Sequence, residues 1–442
     1  MGAPGLAPRL KDAGVVGAGG AGFPTHVKAA AKADIVIANG AECEPLLQKD
    51  KEIMRTRAEA VLAGLELMVE ATGAAKGVLG IKAKHEELVS SLNKLIKKRK
   101  RLELKTLGDY YPAGDEFSLV YEVTGKLIPP GGIPIEIGAV VNNVETLANI
   151  ASGEPVTETS FTVAGAVKNP CTVTVPVGSS FAEAIALAGG PAVKEFSMLD
   201  GGAMMGKVAT DTTQPVTKTT GGLIVLPNGH NLIRRKSAPR SRYSQIGRSA
   251  CDQCSFCTEF CPRYLLGYDI QPHQVMKSLG FAADKKKLLS EWALLCCECS
   301  LCSLYACPES LDPKNICVST KGDLRDTGVT WKEAELNAGK APKPHPMLGY
   351  RKVPISRLTQ RLGLDPYKAD APLIKERISV KKVSIPLKQH VGAPAVAAVQ
   401  TGKRVRKGDL IGEIPEGKLG ARVHASIDGK VQSVGENIVI EA

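Results

Sequence analysis

The sequence is poor in aromatic residues and has no long apolar run. Phe, Trp and Tyr make up only 4% of the 442 residues, which argues against a protein that binds nucleic acid by stacking bases on aromatic rings. No stretch of about 18 uncharged apolar residues occurs, and the opening sequence MGAPGLAPRLKDAGVV has no apolar signal-peptide core. We therefore expect a cytoplasmic protein with no membrane span and no nucleic-acid partner.

Basic residues outnumber acidic ones, and the formal net charge is +12. Much of the excess lies in three short runs, KKRKR at 97–101, RRKSAPRSR at 234–242 and KKK at 285–287. Solvated helix faces and linkers are the first interpretation of such runs, and a surface for an acidic partner or a nucleotide phosphate is the second. No nucleic-acid-binding motif accompanies them.

Residues 1–155 alternate buried strands with amphipathic helices. ADIVIANG at 33–40 is typical of a buried strand, and the apolar spacing over 57–73 and 85–101 predicts two helices, the first ending at Gly73. This alternation predicts an α/β layer fold, and the 43% apolar content is enough for a sizeable core.

The rest of the chain divides into smaller units. Residues 156–232 contain short strands and turns around one helical stretch, which predicts a small mixed β domain. A basic linker at 232–245 leads to a cysteine-rich segment at 245–325, and a Pro- and Lys-rich linker covers 326–379. Residues 380–442 alternate short strands with Gly-Asp and Asp-Gly turns, which predicts a final β domain.

The chain has 12 cysteines, and in a cytosolic protein these are more often metal ligands or redox thiols than disulfides. Eight of them form two related motifs, Cys251-x2-Cys254-x2-Cys257-x3-Cys261-Pro262 and Cys296-x2-Cys299-x2-Cys302-x4-Cys307-Pro308. This spacing is typical of ferredoxins with two [4Fe–4S] clusters, in which three cysteines of a motif bind one cluster and the fourth binds the other.

Crossed ligation predicts two sets of ligands. The first cluster is expected to use Cys251, Cys254, Cys257 and Cys307, and the second is expected to use Cys296, Cys299, Cys302 and Cys261. Cys297 lies outside the spacing and is a spare thiol. Zinc is an alternative because Cys-x2-Cys pairs also bind it, but a zinc ion has no use for two triplets that are each followed by Cys-Pro. The isolated cysteines are interpreted as small buried side chains, and these are Cys43, Cys171 and Cys317.

A glycine-rich stretch, GAGGAG at 17–22, matches the dinucleotide-binding pattern G-x-G-x-x-G. Only Val15 and Val16 precede it as a strand, and Phe23-Pro24 interrupt the expected start of a helix, so the context argues against a Rossmann site. We expect instead a turn whose backbone N–H groups approach a phosphate or a flat cofactor.

Four sequence words occur in a fixed order around and after this turn: GAGGAGFPTHVK (17–28), NGAECEP (39–45), YPAGDE (111–116) and NNVET (142–146). Together they resemble the flavin- and NADH-binding subunit of respiratory complex I and its relative RnfC, and within that group the cobalamin reductases of propanediol-utilising microcompartments. The resemblance covers nearly the whole chain. It implies a multidomain α/β protein with a complex I flavin-subunit-like α/β domain, a β-grasp (SLBB) domain, a two-cluster ferredoxin-like α-helical segment and a C-terminal barrel-sandwich hybrid.

The resemblance also implies FMN as a cofactor, bound without a covalent bond, and NADH as the electron donor. Residues that match the family's flavin contacts are Gly17, Gly19, Gly20, Gly22, Lys28, Asn39, Glu42, Gly114, Asp115, Glu116, Asn142 and Asn143. Phe23 and Glu44 match positions that contact NADH, and Ala41 replaces an acid of the complex I version. No residue is expected to act as an acid–base catalyst.

The activity that the resemblance implies is NADH-dependent electron transfer that reduces cob(III)alamin and cob(II)alamin in a bacterial microcompartment. The implied partners are cobalamin or another corrinoid, an adenosyltransferase and a microcompartment shell protein, and a homo-oligomer is left open. An alternative is an RnfC-like module that serves a membrane complex or a glycyl-radical-enzyme activase. A second alternative, from a different functional class, is a non-catalytic adaptor protein whose clusters only stabilise the fold.

Overall fold

A parallel four-stranded sheet organises the first domain of the computed structural model, which describes residues 5–375 and 378–442. The strands of the domain are β1 (Ile35–Gly40), β2 (Lys76–Lys82), β3 (Leu102–Leu107), β4 (Tyr110–Tyr111) and β5 (Ala139–Asn143). Its helices are α1 (Leu6–Asp12), α2 (Thr25–Ala29), α3 (Lys49–Thr56), α4 (Ala58–Thr72), α5 (Glu86–Ile96), α6 (Glu116–Thr124) and α7 (Val144–Ser152). The sheet order is β3-β2-β1-β5, and β4 pairs outside it.

The predicted helix at 57–73 is confirmed as α4, and Gly73 ends it in the left-handed conformation with φ of +70°. The helix predicted over 85–101 ends earlier, at Ile96. The reason is that the basic run after it turns into β3, and Arg99 in this turn forms ion pairs with Glu59 and Glu66 of α4. Charge alone could not distinguish a helix from a turn here.

The carboxyl ends of the parallel strands carry polar side chains. Asn39 lies near the end of β1, and its paired residue on β5 is Asn143. Open parallel sheets bind their ligands outside this edge, because the loops that follow the strands meet there. The glycine-rich turn lies beside the same edge, since a Cβ on Gly19 would be 3.3 Å from Asn143 Cβ.

The second domain is a mixed sheet with one helix packed on it. Its strands are β6 (Glu158–Gly165), β7 (Cys171–Pro176), β8 (Phe196–Asp200), β9 (Lys207–Ala209) and β10 (Gly222–Pro227), and its helix is α8 (Phe181–Leu187). The order is β7-β6-β10-β8-β9, in which β6 and β10 are parallel and the other pairs are antiparallel. Ser180 caps α8 with its side chain and closes a capping box with Glu183.

The cysteine-rich region is helical. Its helices are α9 (Asn231–Lys236), α10 (Arg240–Ala250), α11 (Phe256–Glu259), α12 (Pro262–Leu265), α13 (Pro272–Ser278), α14 (Ala283–Glu291) and α15 (Pro313–Asp326), with a π-helical turn at Cys302–Ala306. The stretch 232–245, expected as a basic linker, covers most of α9, a three-residue turn and the first half of α10. It folds because Leu232 and Ile233 are buried in an apolar cluster, which an interpretation based on its charge overlooks.

Two small antiparallel sheets form the last domain. Its strands are β12 (Lys382–Pro386), β13 (Val396–Ala397), β14 (Arg404–Val405), β15 (Leu410–Glu413), β16 (Val423–His424), β17 (Gly429–Val434) and β18 (Asn437–Glu441). The sheet orders are β12-β18-β17-β14 and β13-β15-β16, and an apolar core that includes Ile385 and Ile411 lies between them.

The segment 326–379, which precedes this domain, packs against the body of the protein. It contains β11 (Val353–Pro354), which pairs with β4, and α16 (Ile355–Arg361). Leu358 of α16 is fully buried in a cluster with Tyr111 and Leu304. Short 3-10 turns complete the described secondary structure, and these are Pro134–Ile137, Trp331–Glu333 and Asp365–Tyr367.

The predicted multidomain arrangement of α/β, mixed β, helical and two-sheet units is confirmed. Within the described ranges, none of the helices has both the length and the apolar character that crossing a bilayer requires.

Candidate flavin and iron–sulfur site

The glycine-rich turn is a closed loop with backbone that only glycine adopts easily. The Gly17 N–H donates to Phe23 O at 3.0 Å, and the Gly22 N–H donates to Gly17 O at 3.1 Å. Gly20 has φ of +100°, and a Cβ on it would meet no heavy atom within 4 Å, so its backbone faces open space. A planar or phosphate-bearing ligand can therefore approach this backbone closely.

Buried charged side chains at the start of α3 contact the glycine-rich loop and the end of β5. The Lys49 ammonium donates to Ala18 O at 2.7 Å and lies 3.1 Å from a Glu145 carboxylate oxygen. Asp50 accepts a hydrogen bond from Asn143 Nδ2 at 2.9 Å, and its other carboxylate oxygen is buried without a hydrogen-bond partner in the described structure. These contacts tie the loop and the end of β5 to the start of α3.

Glu42 contacts the start of α3, next to the buried Lys49 and Asp50. Its carboxylate accepts from the backbone N–H groups of Asp50 at 3.1 Å and Lys51 at 3.3 Å, at the N-terminal end of α3. Burial raises the pKa of Glu42, and the neighbouring Asp50 carboxylate raises it further. The side chain therefore fixes the backbone after β1, and its flavin contact stays a prediction.

Asn39 and Gly114 lie against each other at the carboxyl edge of the sheet. Asn39 Nδ2 donates to Gly114 O at 2.9 Å, and Asn39 Oδ1 accepts from the Ala41 N–H at 3.2 Å. A Cβ on Gly114 would lie 3.4 Å from both Ala41 O and Cys43 Sγ. The motifs NGAECEP and YPAGDE are therefore in contact in the structure, although they are far apart in the sequence.

An unsatisfied donor and a cation lie at the same edge. Asn142 Nδ2 is buried and has no hydrogen-bond partner in the described part of the chain. The Lys28 ammonium donates to Val141 O at 2.6 Å and lies 5.6 Å from the centre of the Phe23 ring. Burial lowers the pKa of Lys28, and the Glu116 carboxylate opposes that change. A buried donor, a lysine and open glycine backbone fit the carbonyl and phosphate oxygens of FMN.

Asp115, one of the predicted flavin contacts, forms an ion pair with the cysteine-rich region. It caps α6 by accepting from the Ser118 N–H at 3.1 Å, and both of its oxygens accept from Arg263, at 2.9 and 3.0 Å. Arg263 also stacks over the Phe117 ring at 3.5 Å. Because Arg263 follows Cys261-Pro262 directly, this pair joins the predicted flavin site to a predicted cluster ligand.

Glu44, predicted to contact NADH, is hydrogen-bonded to the second domain. Its carboxylate accepts from the backbone N–H groups of Met204 at 2.7 Å and Met205 at 2.9 Å, and burial raises its pKa. Phe23 lies beside Lys28 and is partly exposed. The NADH contacts of Phe23 and Glu44 stay predictions.

The structure brings the four cysteines of the first predicted ligand set together. Cys251, Cys254, Cys257 and Cys307 line one small pocket together with His273. Burial raises the pKa of Cys257 to about 12, and the nearby thiols of Cys307, Cys251 and Cys254 contribute to this rise.

The second group is Cys261, Cys296, Cys299 and Cys302. Burial raises the pKa of Cys302, and the nearby thiols of Cys296, Cys257 and Cys261 add to this effect. The thiol of Cys299 is hydrogen-bonded to the thiol of Cys297, and the thiol of Cys296 is hydrogen-bonded to the thiol of Cys317, and all four are free cysteines. Cys317 was expected only as a buried side chain, and it is buried, but it also contacts a predicted ligand.

The two cysteine loops share an unusual backbone. The residues on either side of each middle cysteine have positive φ near +60°, and these are Gln253, Ser255, Glu298 and Ser300. Alternation of this kind turns backbone N–H groups inward, as in other loops that hold Fe–S clusters. No three ligand side chains in the described ranges converge on a single metal ion. A cubane carries an iron at each of four corners and takes one thiolate on each iron, which is the ligand number that each predicted set supplies.

Two contacts that the sequence did not predict join the flavin site to the second cysteine group. One is the Asp115–Arg263 pair, and the other is a 2.8 Å hydrogen bond from Tyr111 Oη to Cys299 O. Tyr111 lies in the word YPAGDE and Arg263 follows a Cys-Pro pair, so both lie next to predicted motifs. Local spacing gives no sign that the two motifs touch.

Models of four known domain families match the chain. They are the Nuo51 FMN-binding domain over residues 10–152, the SLBB domain over 160–208, the 4Fe-4S dicluster domain over 250–312 and the RnfC barrel sandwich hybrid domain over 366–442. The chain therefore has an FMN-binding domain and a 4Fe-4S domain, as predicted.

Among solved structures, an NAD+-reducing [NiFe]-hydrogenase in the H2-reduced state is similar at 20% identity with a TM-score of 0.50, over 72% of this chain and 62% of that chain. At this identity the similarity shows the fold alone.

Curated relatives are more similar. A component of the Na(+)-translocating ferredoxin:NAD(+) oxidoreductase complex of Acetobacterium woodii is 36% identical over 60% of this chain and 59% of that protein. The cobalamin reductase PduS of Salmonella typhimurium is 43% identical over 98% of this chain and 95% of that protein, and PduS of Citrobacter freundii is 41% identical over the same shares. With such identity along nearly its whole length, the chain belongs to the PduS cobalamin reductase family.

Proposed function

We propose that this protein is an NADH-dependent oxidoreductase that reduces the cobalt of cobalamin. The observation that carries the proposal is the shared boundary of the flavin site and the second cysteine group, which Asp115–Arg263 and Tyr111–Cys299 connect. The relatives with matching length are named cobalamin reductases, which supports this acceptor. The balanced reaction is NADH and two cob(III)alamin giving NAD+, one proton and two cob(II)alamin.

The cofactors supply the redox chemistry, since FMN accepts a hydride and gives up single electrons, and [4Fe–4S] clusters carry electrons singly. The side chains supply binding and position. Backbone at Gly20 leaves room for a flat ring or phosphate, Lys28 provides a positive charge, and Asn142 provides an unused buried donor in the described structure. Asn39 orders the backbone at Gly114, beside the same edge.

Eight cysteines hold two clusters in this proposal, with Cys307 completing the first set and Cys261 completing the second. The second set lies next to the flavin site, because Tyr111 bonds to Cys299 and Arg263 follows Cys261. A cluster held by the second set would therefore be the one next to the flavin site.

The partners and location in this proposal follow from the family. A cob(II)alamin product is a substrate for further reduction and adenosylation, so we include an adenosyltransferase as a partner. A microcompartment shell protein and a location in a bacterial microcompartment are included because the sequence resembles the cobalamin reductases of propanediol-utilising microcompartments, and the relatives that match nearly the whole chain are named cobalamin reductase PduS.

The 36% identity to a component of an ion-translocating complex, over 60% of this chain, supports a second candidate. This candidate is an RnfC-like module that delivers electrons to a membrane complex or an activase. The identity over 98% of the chain favours the cobalamin reductase.

An anaerobic experiment tests the proposal. NADH is added to protein reconstituted with FMN, iron and sulfide, then hydroxocobalamin is added, and the flavin and cobalt spectra are followed. Flavin bleaching followed by cob(II)alamin supports the proposal. Bleaching with cobalt left oxidised would favour the RnfC-like candidate, and no bleaching would remove NADH as the donor.

A further inference from the structure

A large cavity lies between the second domain, helices α9 and α10, and the loop of the second cysteine group. It encloses about 710 Å³, within the range of about 300–1,000 Å³ typical of small-molecule sites. It is separate from the glycine loop and from the carboxyl edge of the parallel sheet, so neither FMN nor its predicted contacts account for it.

Cations in the wall of the cavity divide into two classes. Arg235 donates to the backbone carbonyls of Ser303 and Leu311, and Lys236 donates to those of Met204 and Gly206, so these two hold the wall together. Arg234 and Arg242 line the cavity and are exposed, and their side chains form no hydrogen bond or ion pair within the described residues. Their guanidinium groups are free for a ligand.

Acidic groups in the wall do not neutralise these arginines. Asp312 accepts from Ser303 Oγ and from Asn315, and Glu298 pairs with Lys321 at 3.2 Å. Lys207 and Lys314 also line the cavity, so its charge is positive.

The wall also has an apolar part. Met205 and Ile246 are 54% and 43% exposed, which is unusual for large apolar side chains, and both face this cavity together with Tyr243 and Leu304. A site that combines free arginines with exposed apolar side chains suits a bulky molecule that has apolar faces and carries a phosphate. Arginine binds phosphate oxygens with two N–H groups at once.

The cavity lies beside both predicted clusters. Glu298 and Ser300 line it and flank Cys299 in the second cysteine loop, and Leu311 lines both this cavity and the pocket of the first cysteine group. A molecule bound here is close to the cysteines without passing through the flavin site.

We propose that this cavity is the acceptor site, and that it binds the corrinoid with Arg234 and Arg242 on the phosphodiester of its nucleotide tail. This inference rests on the proposed function. The clusters, when bound, would supply single electrons at this site, so that the two electrons of one NADH would reduce two Co(III) to two Co(II). Met205 and Ile246 would provide the apolar contact for the corrin ring.

Direct binding tests the assignment. The double variant Arg234→Glu/Arg242→Glu is compared with Arg248→Glu, which reverses one exposed charge of α10 outside the cavity lining. Equilibrium dialysis of the reconstituted protein without NADH measures the Kd of hydroxocobalamin and of cobinamide, a corrinoid that lacks the phosphodiester and nucleotide. We expect the double variant to weaken cobalamin binding at least tenfold, about 1.4 kcal/mol, and to leave cobinamide binding unchanged. Arg248→Glu is expected to bind both as the wild type does, and flavin and cluster absorbance confirm that each variant is folded.

Three results would overturn the assignment. The first is unchanged cobalamin binding in the double variant. The second is an equal weakening of cobalamin and cobinamide binding in that variant. The third is that NADH displaces cobalamin from the wild-type protein and that the double variant binds NADH more weakly. The last result would make the cavity a dinucleotide site. Failure of the proposed function looks different, because NADH would then leave saturating cobalamin oxidised in the wild-type protein whatever the variants bind.

Discussion

Arg263 and Asp115 are the side chains that join the flavin domain to the cysteine-rich region most directly. Their side chains are only 10% and 14% exposed, and they share two hydrogen bonds. In such a pair, loss of one partner leaves the other charge buried and unpaired, which costs more than an exposed ion pair contributes. The pair therefore fixes how the two regions are placed.

Replacement of Arg263 by Met is expected to lower the free energy of unfolding by about 3–5 kcal/mol, because the Asp115 carboxylate loses its buried partner. The control is Arg240→Met, which breaks the exposed pair with Asp323 and is expected to cost about 1 kcal/mol or less. Denaturant unfolding measures both. Equal effects of the two substitutions would contradict the role given to Arg263.

Two adjacent cysteines offer a second test at this scale. Cys296 matches the motif spacing and Cys297 does not, yet the thiols of both lie near other cysteines of the second group. We expect Cys296→Ser to lose about half of the iron and acid-labile sulfide, and Cys297→Ser to keep both, because each cluster holds four irons. If Cys297→Ser lost iron and Cys296→Ser kept it, Cys297 would be the cluster ligand and Cys296 the spare thiol.

At the scale of elements, the glycine loop depends on its backbone conformation. A residue with a Cβ at Gly20, where φ is +100°, is strained by about 1–2 kcal/mol although nothing nearby blocks it. We expect Gly20→Ala to weaken FMN binding about tenfold, since the loop must keep this shape to approach the ligand and about 1.4 kcal/mol corresponds to a tenfold change.

Bound FMN after reconstitution and dialysis measures this effect. Gly229→Ala is the control, because Gly229 also has open space but no positive φ. Full FMN retention in Gly20→Ala would show that the loop does not hold the flavin.

Elements with a local signal could be predicted from sequence, and elements set by distant contacts could not. The cysteine spacing predicted that Cys307 joins the first group, and the structure places Cys307 in one pocket with Cys251, Cys254 and Cys257. The crossed ligation of the two clusters stays a prediction. The run 232–245 was expected as a linker from its charge, but buried Leu232 and Ile233 make it helical. The Arg263–Asp115 pair joins residues far apart in sequence, and no local pattern reports such a contact.

At the scale of the whole molecule, the glycine loop lies where three domains meet. A Cβ on Gly22 would be 2.9 Å from Thr219 Cγ2 and 3.1 Å from His390 Cα, and Gly22 O accepts from the Val391 N–H at 3.0 Å. Lys218 completes this junction, because its ammonium donates to Gly14 O at 2.8 Å and to Arg422 O at 3.0 Å. The first, second and last domains therefore hold one another at the predicted flavin site.

The junction predicts a pH dependence of stability. Burial lowers the pKa of Lys218 to about 7 from its ordinary value of 10.5. Between about pH 7 and 10 the unfolded chain keeps a proton that the folded protein has lost, so this group makes stability rise with pH. Lys218→Met is expected to be less stable and to lose this part of the rise, because it removes both the hydrogen bonds and the titrating group.

Melting temperatures at about pH 7 and pH 9, both within the window between the lowered pKa and the ordinary value of 10.5, measure the slope, with the exposed Lys388→Met as control. The same rise between these pH values in wild-type and Lys218→Met protein would contradict the prediction.

The most direct test of electron transfer from NADH to cobalamin is an anaerobic stopped-flow measurement with one equivalent of NADH and excess hydroxocobalamin. We predict that the flavin bleaches first and that two equivalents of cob(II)alamin then form for each NADH oxidised. Cob(II)alamin formation without prior flavin bleaching, or a bleached flavin with the cobalt left oxidised, would contradict this function.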